Sequence, residues 1–185
     1  MYYLLAIVAT IFVVMAVFVF NALIRNRNRV RNAWSDIDVQ LKKRYDLVPN
    51  LVEVVNVYKT HEADVFENVA KARTAAVNAS ANDIADKSKV EDSFSSSIKS
   101  LLAVAENYPQ LRASENFQNL QNQLALIENN IESARRYYNA TVREFNNAIQ
   151  VFPASIIAMI FGFKQSDFFG ADEKEKNATT ISFQK

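Results

Sequence analysis

The 185-residue chain has no cysteine, two glycines, three prolines and one histidine. Without cysteine it forms no disulfide and carries no thiolate nucleophile, iron–sulfur cluster, cysteine zinc site or lipoprotein-type acylation. Sheets and barrels need many tight turns, which lean on glycine and proline. Their scarcity points to long helices with few connections. Gly162 and Gly170 stand alone, so no glycine-rich phosphate loop exists. Strong charge of either sign is also missing: the net charge is +1, which by itself selects no partner.

One long apolar run is present. Residues 2–24 are interrupted only by Thr10 and Asn21 and contain no charge. As a helix the run is about 35 Å long, against roughly 30 Å of bilayer hydrocarbon. A helix apolar on every side needs lipid or a large core around it, and this chain is too short to supply that core. A cleaved signal peptide fits less well, because no basic n-region precedes the run and no A-x-A site follows it. Arg25, Arg27, Arg29 and Arg31 come next. Basic residues at a membrane end are retained in the cytoplasm, which predicts an outer N-terminus and a cytoplasmic domain. The same arginines suit anionic headgroups.

Beyond the arginines, apolar residues recur at helical spacing. Val30, Trp34, Ile37, Leu41, Tyr45 and Val48 make one stripe, and Pro49 is expected to kink or restart the helix. A second stripe runs through Leu51, Val55, Tyr58, Val65, Val69, Ala72 and Ala76, with Glu62 discordant on the seam. Residues 79–88 read as a loop. Phe94, Ile98, Leu101, Leu102 and Ala105 resume the period until Tyr108-Pro109 stops it.

Ser114 suits an N-cap. The sustained seam Phe117, Leu120, Leu124, Ile127, Ile131, Ala134, Tyr138, Thr141, Phe145 and Ala148 follows. Its opposite face carries uncharged amides: Gln118, Asn119, Gln121, Asn122, Asn129, Asn130, Asn146 and Asn147. A second apolar run at 152–163, opened by Pro153 and capped by Gly162, is too short to span a bilayer. It reads either as a core plug or as an interface through Ile156, Ile157, Ile160 and Phe161. Asp172 onward is expected to be mobile, with Ile181 and Phe183 able to dock as an extended peptide.

Catalysis needs convergent groups. His61 is the lone histidine, and His61-Glu62-Ala63-Asp64-Val65 lacks the second histidine of a helical zinc motif. Asp36 and Asp38, at i, i+2, point to different sides of a helix. Glu128 and Glu132 share a face but lack the Glu-x-x-His units of bundle metal sites. Arg135-Arg136-Tyr137-Tyr138-Asn139 mixes cations and rings as nucleic-acid surfaces do, yet pairing of the arginines with Glu132 and Glu128 explains it more simply. Lys42, Lys43 and Arg44 read as a solvated face. Neither cofactor nor metal is expected, and no nucleic acid.

Several long runs resemble the LemA family. The first is 28–52, which includes Asn32-Ala33-Trp34-Ser35-Asp36-Ile37-Asp38 and Tyr45-Asp46-Leu47-Val48-Pro49-Asn50-Leu51. Others are Ala105-Glu106-Asn107-Tyr108-Pro109-Gln110-Leu111-Arg112-Ala113, Glu115-Asn116-Phe117, Ala134-Arg135-Arg136-Tyr137-Tyr138-Asn139, Phe152-Pro153 and Phe161-Gly162-Phe163. The resemblance covers nearly the whole chain. It implies a bacterial protein with one N-terminal membrane helix, a short outward tail and an all-α domain. The family has no established molecular function and lends no catalytic residues. Its magnetosome-associated branch suggests membrane organisation by analogy.

The expected architecture is all-α: an anchor at 1–24, a basic segment and first bundle helix at 25–48, the rest of an elongated antiparallel bundle at 49–169 and a tail at 170–185. Trp34, Asp36, Asp38, Tyr45 and Asn50 are the expected bundle contacts, with Asp36 pairing to Lys43 or Arg135. The expected function is a self-associating, homo-oligomeric scaffold at the bacterial inner membrane, with the lipid bilayer as partner. The alternative is an adaptor binding another protein in envelope stress or signalling. An enzyme using Asp36, His61, Glu62 or Tyr137 ranks last.

Overall fold

The structure, a computed structural model, describes residues 1–57, 63–80 and 83–170. Expectations for Tyr58, His61, Glu62 and the tail beyond Gly170 fall outside the described residues. Six helices and no strand are present among the described residues: α1 (Tyr2–Val57), α2 (Ala63–Asn78), α3 (Ile84–Glu106), α4 (Pro109–Arg112), α5 (Glu115–Ala148) and α6 (Ala154–Ile160). The chain divides into two units. The first is Met1–Val39 with Glu132–Asp167, and the second is Gln40–Ile131 with 168–170, as far as the described residues go.

In the first unit, α1 begins as an apolar helix with no buried residue in its membrane-length window. Farther along, Leu23, Val30, Ala33 and Ile37 are buried, as are Val142, Phe145 and Ile149. Trp34 lies edge-on to Tyr138, with ring centroids 5.5 Å apart. The Tyr138 hydroxyl donates to the Asp167 carbonyl at 2.9 Å. Burial, then the Asp167 charge, pushes the Tyr138 phenol up to about 12, because the ionised form would lose its hydration. Asn146, expected on a solvated amide face, is instead buried and clasps Ser166. Its amide donates to the Ser166 carbonyl and its oxygen accepts from the Ser166 N–H, both at 2.9 Å.

The second unit is built on the same helical spacing. Leu41, Val48, Leu51 and Val55 of α1 are buried, with Val69 and Ala76 of α2, Phe94, Ile98 and Leu101 of α3, Leu111 of α4, and Phe117 and Leu124 of α5. Full burial of each large aliphatic contributes about 1.5–3 kcal/mol.

Helix α1 does not restart at Pro49: it runs through that residue to Val57. Proline has no N–H, so the Tyr45 carbonyl four residues earlier loses its helical donor. Arg73 of α2 supplies a replacement, its Nε donating to the Tyr45 carbonyl at 2.8 Å. The loop expected over 79–88 is also shorter. Asp83 caps α3 by accepting from the Asp86 N–H at 2.9 Å, so 84–88 are helical. At the far end, Tyr108 is extended before Pro109, which opens α4.

Candidate functional site

The second unit contains a buried cluster of charges. Stepping by four and three along α1 gives Ile37, Leu41, Arg44 and Val48. Arg44 therefore occupies a seam position and is 1% exposed, not part of a solvated face with Lys42 and Lys43. On α3 the series Lys87, Glu91, Phe94, Ile98, Leu101 does the same, and Lys87 and Glu91 are buried. A charge on a seam was the available signal for all three, and the aliphatic stripe beside them masked it.

Glu91 is the hub. One carboxylate oxygen accepts from Arg44 Nη2. The other accepts from the Tyr45 hydroxyl and lies 3.3 Å from Lys87 Nζ. Arg44 Nη1 donates to Ser95 Oγ at 2.8 Å and to Glu128 at 2.9 Å, drawing α5 into the cluster. The Arg44 guanidinium also stands over the Phe94 ring, 5.1 Å from its centre.

Lys87 Nζ donates to the Tyr45 hydroxyl at 3.0 Å and to the Ala76 carbonyl at 2.7 Å. Ala76 lies in the last turn of α2, where carbonyls have no helical donor, so the ammonium caps that helix and meets its negative end. Arg44 and Lys87 balance Glu91 and Glu128. Each buried charge thus has a counter-charge and hydrogen bonds, which makes burial of the ions tolerable, although Arg44 Nε itself has no partner among the described residues.

The cluster links α1, α2, α3 and α5 of this unit with protein partners at every junction. That arrangement holds helices together; it offers no free base beside a substrate cavity. No group of three or more His, Asp or Glu able to hold a metal ion occurs among the described residues. A separate open cleft of about 410 Å³ lies between α1 and α2, lined by Pro49, Val52, Asn56, Phe66 and Arg73.

The residues singled out from the sequence are scattered. Tyr45 is in the cluster and Trp34 meets Tyr138, whereas Asp36, Asp38 and Asn50 are exposed. Arg136 pairs with Glu132 as expected, while Glu128 turns to Arg44. Arg25, Arg29 and Arg31 are exposed, and Arg27 lies over the Phe163 ring at 5.2 Å. In α6 only Ala158 is buried.

The LemA family model matches residues 33–183. The chain belongs to the LemA family. Similar proteins include magnetosome protein MamQ of Magnetospirillum gryphiswaldense, 24% identical over 88% of this chain and 68% of the relative. Magnetosome protein MamQ 2 of Paramagnetospirillum magneticum is 25% identical over 80% and 62%. Protein LemA of Metamycoplasma hominis is 27% identical over 84% and 71%. The chain thus spans about two thirds of the length of these relatives. Together with the apolar N-terminal helix, membership makes it a membrane-associated LemA family protein.

Proposed function

We propose that this LemA family protein is a single-pass membrane scaffold that self-associates, with its helical bundle in the cytoplasm and no catalytic activity. One contrast carries the reading. Arg44, Lys87 and Glu91 are paired inside the bundle, while α5 presents exposed, uncharged Gln118, Gln121, Asn122, Asn129 and Asn130 around an exposed Leu126. Such a face lets copies approach without like-charge repulsion and offers amide hydrogen bonds on contact. Relatives named as magnetosome proteins fit a role in assembly.

Disulfide trapping tests the face directly, since the chain has no native cysteine. Gln121→Cys or Asn129→Cys in membranes is expected to give a covalent dimer on mild oxidation. Lys99→Cys, exposed on α3, is expected to stay monomeric. Equal trapping at all three positions would count as random collision and overturn the face assignment.

A second reading draws on the cleft between α1 and α2, whose mixed apolar and polar lining suits a peptide from another protein. In that case the protein is an adaptor, and substitutions at Val52 or Phe66 abolish partner capture without changing self-association.

A further inference from the structure

The apolar part of α1 and the residues just after the short helix α6 meet through aromatic rings. Phe20 lies 4.7 Å from Phe161 and 6.0 Å from Phe163, centre to centre. Phe20 is inside the apolar run, five residues before Arg25, the first charge after the membrane segment. At 1.5 Å per residue that is about 7–8 Å on the hydrocarbon side of the first arginine. With Arg25 at the headgroups, this contact would hold Phe161 near the headgroup–acyl boundary.

The rest of the α6 segment is apolar and uncovered. Phe152 is 76% exposed, Met159 83% and Ile160 71%, and Val151, Ile156 and Phe161 are also exposed. Soluble surfaces rarely carry so many large apolar side chains together.

Local structure fixes this presentation. Gly162 has φ +66°, the Phe163 N–H bonds to the Ala158 carbonyl and the Gly162 N–H to the Met159 carbonyl. This pattern ends α6 sharply and returns Phe163 to Arg27 and Phe145. Lys164 follows, exposed, and Arg25 and Arg29 are exposed on α1, so cations flank the apolar surface as they do in interfacial helices.

We propose that α6 with its flanks is a second membrane contact: it lies in the interface of the leaflet that α1 exits, its apolar side chains among the acyl chains. The occupant is the lipid bilayer, because the surface continues the lipid-facing surface of α1 at Phe20. Interfacial helices bury their apolar face about 5–10 Å into that boundary, which matches the depth set by Phe20. The contact would fix the first unit against the membrane at two points.

The inference rests on the membrane reading of α1, and one experiment separates the two. Single-cysteine full chains (Val13→Cys, Phe152→Cys, Ile160→Cys and Lys99→Cys) are labelled with an environment-sensitive fluorophore. They are then reconstituted in phosphatidylcholine–phosphatidylglycerol vesicles carrying nitroxide on the acyl chain, shallow or deep. Labels at 152 and 160 are expected to shift to the blue and be quenched by shallow nitroxide more than by deep. The label at 13 is quenched by deep nitroxide, and the label at 99 only by aqueous iodide. Quenching at 13 with iodide access at 152 and 160 overturns the proposal alone. Quenching at 13 with 152 and 160 shielded from both quenchers also overturns it, and indicates a second copy on this surface. Failure of lipid quenching at 13 overturns the membrane reading and the proposal together.

Discussion

Replacing Glu91 with alanine removes the hub that three donors share. Arg44 would keep Glu128 and Ser95, but Lys87 would keep only the Tyr45 hydroxyl and the Ala76 carbonyl, with no carboxylate beside it. Two buried cations would then face the space left by one anion. Breaking a buried ion pair by deleting one partner costs about 3–5 kcal/mol, most of it from the uncompensated charge. For a domain this is a large part of a total stability of about 5–15 kcal/mol. With a urea m-value of about 2 kcal/mol/M, a loss of about 4 kcal/mol lowers the midpoint by about 2 M. The assay is helix ellipticity against urea for the full chain in detergent micelles. Glu67→Gln, which removes an exposed i, i+4 pair with Lys71, serves as control and should leave the midpoint in place. The triple exchange Arg44→Met, Lys87→Met, Glu91→Leu should recover most of the loss, because a packed apolar replacement has no charge left to satisfy. A Glu91→Ala shift under about 0.5 M would refute the claim that this network holds the helices together.

Other consequences are equally direct. Arg73→Met should cost about 1–3 kcal/mol by leaving the Tyr45 carbonyl without a donor. The cost should shrink in a Pro49→Ala background, where the helix supplies its own N–H, and an unchanged cost in that double-mutant cycle would contradict the assignment. Tyr138 has a folded pKa raised from 10.0 to about 12, so its contribution to stability is complete below pH 10 and is lost as pH rises from 10 to 12. Ultraviolet difference titration of wild type against Tyr138→Phe should show the missing phenolate step near pH 12, and a missing step near pH 10 would count against its burial. Gly162→Ala should destabilise the turn after α6 by about 1–2 kcal/mol, since a side chain disfavours φ +66° even where space is open; an unchanged thermal midpoint would contradict this. A phosphatase or fluorescent reporter fused after Lys185 should report a cytoplasmic location, and phosphatase activity there would reverse the orientation.

The repeating apolar pattern disclosed most of the architecture, because burial of large aliphatics dictates which face of each helix turns inward. Ile37, Leu41, Val48, Phe94, Leu101, Leu124 and Phe145 are buried where helical spacing puts them. Local chemistry did less well where a distant partner decides the outcome. Pro49 is an ordinary helix breaker until Arg73 arrives from α2 to occupy the orphaned carbonyl. Arg44, Lys87 and Glu91 look solvated by residue type, and only their seam positions betray burial. Asn146 resembles its exposed amide neighbours, yet it clasps a backbone segment twenty residues away, a contact that helical periodicity does not encode. The signature aspartates Asp36 and Asp38 lie in solvent, so their presence has no explanation in packing.

The most direct test of a self-associating membrane scaffold is the mass of the full chain released from native-like lipid discs into the gas phase without prior detergent. Ions at defined multiples of the protomer mass are expected, with the multimer diminished by Gln121→Lys and Asn129→Lys on α5. Protomer mass alone across the accessible concentration range, unaltered by those substitutions, would contradict it.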